Sequence, residues 1–97
     1  DESINEVFER ENEAELGRRV MAAVNELPNI QREAIYLHYI KGVSHKEIAA
    51  MMNINPQSSM NIISRALANL RKRLSPGDFY TLVVIFSSNI LVDKVLL

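Results

Sequence analysis

Gln57, Asn61, Ser64, Arg65, Ala68 and Lys72 recur at spacings of three and four in the stretch 56–74. On an α-helix that spacing puts them on one side. Amide side chains pair well with adenine edges, guanidinium groups with guanine or phosphate, and cations with the backbone of a duplex. A helix that is hydrogen-bonding at its start and basic at its end can lay its first half in the major groove and its last turns against phosphate. The other side of the same stretch is apolar, with Ile63, Ala66, Leu67, Leu70 and Leu74 as the buried stripe. An ordinary amphipathic helix with a solvated face has this pattern too, so spacing alone leaves both readings open.

Such a face works only if other elements hold it outward. Ser44 with Glu47 three residues on is a capping-box start for a preceding helix, and Ile48, Ala49, Met51 and Met52 give that helix its apolar face. Asn53, a residue that tolerates left-handed backbone, marks its end. Asn55 then Pro56 begins the next helix, with asparagine as cap and proline at the first helical position. So short a link makes the two helices cross steeply and touch, and Ala49 is the small residue expected at the crossing. The pattern predicts a helix-turn-helix. Its candidate DNA contacts are Gln57, Ser58, Asn61, Ser64 and Arg65 at base edges or nearby phosphates, Met60 at a thymine methyl, and Lys46, Arg71 and Lys72 at phosphates. His38 is expected to pack at a helix surface. His45, at the front of the first of these helices, is a further phosphate-contact candidate.

The charge distribution agrees. The chain has 97 residues and a net charge of −1, but residues 1–27 carry eight acids against three arginines and residues 28–74 carry seven cations against two acids. An acidic front therefore precedes a basic middle, the electrostatic footprint of a modest nucleic-acid binder. No cysteine is present, which excludes disulfides and cysteine-ligated zinc and suits a reducing cytoplasm. No glycine-rich phosphate loop and no nucleophile–histidine–acid set is suggested. An enzyme, a cofactor and a metal site are not expected.

Leu27-Pro28, Gly42-Val43-Ser44, Glu47-Ile48-Ala49, Ile54, Arg65-Ala66 and Leu70-Arg71 resemble region four of the extracytoplasmic-function group of bacterial RNA polymerase sigma factors. The similarity runs from about Asn25 to Leu74. It implies that the second helix reads the minus-35 promoter element, that the domain sits on the flap of core RNA polymerase, and that an anti-sigma factor is a possible inhibitor. It also implies a promoter-melting domain upstream of Asp1, a start without methionine being expected of a fragment or processed product. The chain departs from the family pattern at Asn53, where glycine is usual, at Ser59, where a branched apolar residue is usual, and at Met60 and Ile62, near which cations are usual. Ser59 would weaken the core unless its hydroxyl bonds back to the preceding turn. The output domains of response regulators have similar helices and remain an alternative within the same class. An interaction module held by an inhibitor is the alternative from another class.

The whole is expected to be all-α, a small bundle of four to five helices. Residues 1–12 read as an acidic linker or tail, 13–74 as the helix-turn-helix domain, and 75–97 as an apolar C-terminal helix. Within the domain, a helix from about Glu13 to Glu26 buries Leu16, Val20, Ala23, Val24 and Leu27, and a second runs from Pro28 or Asn29 to Lys41. Ser75-Pro76-Gly77-Asp78 starts the last helix. Its run 79–97 is too interrupted by polar residues to span a membrane and is expected to meet a partner or a second copy.

Overall fold

The computed structural model describes the backbone of residues 3–96 and the side chains of 3–88, except 8 and 9. Among the described residues there are five α-helices and no strand: α1 Ile4–Asn25, α2 Asn29–Ile35, α3 His45–Met52, α4 Pro56–Arg73 and α5 Pro76–Leu96. The end of α2 widens into a π-helical segment, Tyr36–Ile40, in which the Lys41 N–H donates to the Tyr36 carbonyl five residues back.

The first helix begins at Ile4 and not near Glu13. Ser3 caps it, its hydroxyl accepting from the Glu6 N–H at 3.2 Å. The stretch 4–12 is the first half of α1. Helix α1 continues into the body, where Ala23 and Val24 are buried with Leu27 just beyond its end. Pro28 forces extended backbone before α2. The core gathers these residues with Ala34 and Ile35 of α2, Ile48 of α3, Ile63, Ala66 and Leu70 of α4, and Leu82 and Phe86 of α5. Helix α4 is the centre of this packing, touching α1, α2, α3 and α5. Ile35, Ile48 and Leu70 are its largest fully buried apolar side chains.

The connections follow from local chemistry. Gly42 adopts φ 70°, which turns the chain out of the π segment and lets the Val43 N–H reach the Leu37 carbonyl at 2.9 Å. The α4–α5 corner carries Ser75, whose hydroxyl accepts from the Asp78 N–H at 3.1 Å. The Asp78 carboxylate bridges to α1 by accepting from both Nε (2.8 Å) and Nη2 (3.2 Å) of Arg19. A second tie joins Arg73 to Glu26 at 2.6 Å. The start of α5 and the end of α4 are thus both fastened to the second half of α1.

Candidate nucleic-acid interface

The geometry of the α3–α4 pair starts from two caps and one left-handed residue. Ser44 accepts from the Glu47 N–H at 3.1 Å, and Asn55 accepts from the Ser58 N–H at 2.8 Å with Pro56 in the first turn. Each such cap is worth about 1 kcal/mol. Between them Asn53 takes φ 57° and ψ 48°, and the Ile54 N–H closes on the Ala49 carbonyl at 2.9 Å. Ala49 is 1% exposed in the angle between the helices, so a larger side chain would push α3 and α4 apart.

The buried side of α4 is Ser59, Ile63, Ala66 and Leu70, with Leu67 and Leu74 half-buried beside it. Helical spacing puts Asn61 directly opposite that stripe, with Gln57, Arg65, Ala68 and Lys72 around it. All five are exposed. The Gln57 amide donates to the Asn61 carbonyl oxygen at 3.2 Å, so the two amides are held as one polar strip. Ser64, Arg71 and Lys46 are also exposed, Lys46 from the first turn of α3. Ser58 is half-buried. Met60 is 47% exposed, but helical spacing sets it on the flank of α4, about a quarter-turn from the Asn61 line. No ion pair among the described residues engages Arg65, Arg71 or Lys72, so their charge is available to a ligand.

Two residues behave differently from expectation. Ser59 is fully buried, and its hydroxyl lies 3.5 Å from Nδ1 of His45 on α3, not against the preceding turn of α4. His45 is half-buried at the start of α3. It stacks on His38 with ring centroids 4.3 Å apart, and Nδ1 of His38 lies 2.8 Å from the Val43 carbonyl, to which it donates. Burial first, and the neighbouring His38 second, push the His45 imidazole below its ordinary pKa. These histidines link the π segment to α3 and to Ser59 of α4. Sequence reasoning also passed over Asn69, whose amide donates to Gln31 at 3.1 Å and joins α4 to α2. The spacing that pairs Gln57 with Asn61 was visible in advance. The His38–His45 stack had no local signal.

Residues 17–70 match the family described as Sigma-70, region 4. The chain belongs to the sigma-70 region 4 family. Over 73 residues it is 29% identical to the ECF RNA polymerase sigma factor SigM of Bacillus subtilis (strain 168), an overlap of 75% of this chain and 45% of that protein. The chain thus spans less than half the length of this relative. No solved structure matches it. The matched segment runs from the middle of α1 to Leu70 and takes in α3, the turn and all but the last turn of α4, which favours the sigma-factor reading over the response-regulator one. Helix α5 lies beyond it. Among the described residues no helix is long and apolar enough to cross a membrane.

Proposed function

We propose that this region-four domain recognises the minus-35 promoter element in transcription initiation, as part of an RNA polymerase sigma factor of the extracytoplasmic-function type. The observation that carries the reading is the outward strip of α4. Gln57 and Asn61 present linked amides, Arg65 follows one turn later, and Lys72 ends the same side. The amides address base edges in the major groove, Arg65 a guanine edge or the backbone, and Lys46, Arg71 and Lys72 the flanking phosphates. Ser58 and Ser64 reach nearby phosphates, and Met60 meets a thymine methyl at the rim. The partners are promoter DNA and core RNA polymerase, with an anti-sigma factor as inhibitor, in the bacterial cytoplasm. The domain acts by binding and catalyses no reaction.

The face carries few cations, with apolar Met60 and Ile62 near the positions where the family resemblance implies basic residues. Binding by the isolated chain is therefore weak, and it falls as salt rises with a slope set by its few phosphate contacts. Fluorescence anisotropy with a labelled promoter duplex tests the assignment. Asn61→Ala with Arg65→Ala should abolish the preference for promoter over scrambled duplex. Unchanged affinity and preference in that double variant would refute it.

A further inference from the structure

The outer side of α1 and a cleft at the end of α4 complement one another, yet among the described residues none of α1 lines that cleft. On α1, Ile4 is 86% exposed, Val7 is exposed, and so is Glu11. Their spacing makes one helical stripe. Leu16, Val20 and Val24, which turn toward the π segment and α5, occupy the opposite side of the same helix. A helix cannot bring two opposite sides to one core. The Ile4–Val7–Glu11 stripe therefore faces away from its own domain, on a half-helix with no buried side chain among those described.

The cleft has a volume of about 560 Å³ and is lined by Leu67, Ala68, Arg71, Lys72 and Phe79. Its floor is apolar and its rim is cationic. It adjoins the outward strip of α4, with which it shares Ala68 and Lys72. DNA would use the two cations but gain little from Leu67 and Phe79. An acidic helix with an apolar stripe uses both.

We propose that the α1 arm of one copy docks in this cleft on a second copy. Ile4 and Val7 cover Leu67 and Phe79, and Glu11 meets Arg71 and Lys72. Charge complementarity selects this occupant, since the arm is acidic where the cleft is basic and each side carries apolar surface. The contact stands whether or not α4 reads promoter DNA. Where it does, the docked arm covers Arg71 and Lys72, and self-association competes with DNA.

Sedimentation equilibrium of the full 97-residue chain in low salt tests the contact. The parent chain should rise above its monomer mass of 11.0 kDa with concentration, and added salt should reverse the rise. Glu11→Lys alone, and Arg71→Glu with Lys72→Glu, each place like charges across the contact and should weaken association about tenfold or more. An equimolar mixture of these two variants restores opposite charges in both directions and should associate again. All substituted positions are exposed, so circular dichroism should report the parent helicity in each variant. A parent chain that stays monomeric overturns the proposal. So do variants that associate like the parent, which would point instead to residues 79–97, and a mixture that remains monomeric.

Discussion

Helices α1 and α4 are close in length, at 22 and 18 residues, but are held in different ways. Helix α4 packs against four neighbours, has one buried stripe and one polar face, and begins at a capped proline turn. Among the described residues, the buried side chains of α1 lie in its second half, where Ala23 and Val24 are buried and Arg19, with Glu26 just beyond the helix, is bridged to the α4–α5 corner. Its first half is held by its own backbone hydrogen bonds and a serine cap. The difference separates two sources of helicity. Tertiary packing fixes where α4 points, whereas a serine cap and backbone hydrogen bonds start α1.

Substitutions should divide the two helices sharply. Leu70→Ala, or Ile48→Ala beneath α4, leaves a cavity in a closed core and should cost about 2–5 kcal/mol in chemical denaturation. A loss below about 1 kcal/mol would mean that the α3–α4 contact is loose. Ser44→Ala and Asn55→Ala remove one cap each and should cost about 1 kcal/mol apiece. Asn53→Val should be at least as damaging, because a β-branched residue fits poorly at φ 57°, while Asn53→Gly should be tolerated. Val7→Ala in the arm should change stability by no more than about 0.5 kcal/mol. A larger loss would show that the arm is packed in the monomer.

His45 gives the α3–α4 region a pH dependence. His45 is depressed in the folded chain, so the unfolded chain binds its proton first on acidification. Stability is therefore full above the ordinary imidazole pKa, about 6.5, and declines as pH falls from there through the lower folded value. Thermal melts of His45→Gln should show a shallower loss over that window than the parent. An identical slope would remove His45 from the account.

Most of the helix-turn-helix was legible because its boundaries are written in single residues. Ser44, Asn53, Asn55 and Pro56 each act on the backbone within one turn, and each sits where its chemistry requires. The same holds for Gly42 and for Ser75-Pro76. The start of α1 was legible too and was passed over. Ser3 with Glu6 repeats the signature of Ser44 with Glu47, but the acidic composition of residues 1–12 pointed to a tail. The Ser59–His45 contact and the His38–His45 stack join residues from three elements and depend on how α3 crosses α4. No periodicity carries that information. Ser59 shows the limit well: its burial followed from its place in the stripe, but its partner did not.

Backbone amide chemical shifts, followed by NMR as a minus-35 duplex is titrated into the chain, test the central claim most directly. The account predicts that the largest shifts fall on residues 57–65 of α4, with Lys46, Arg71 and Lys72 moving with them and the arm of α1 unaffected in the monomer. Shifts concentrated on α5 or the inner half of α1, with Asn61 and Arg65 unmoved, would contradict it.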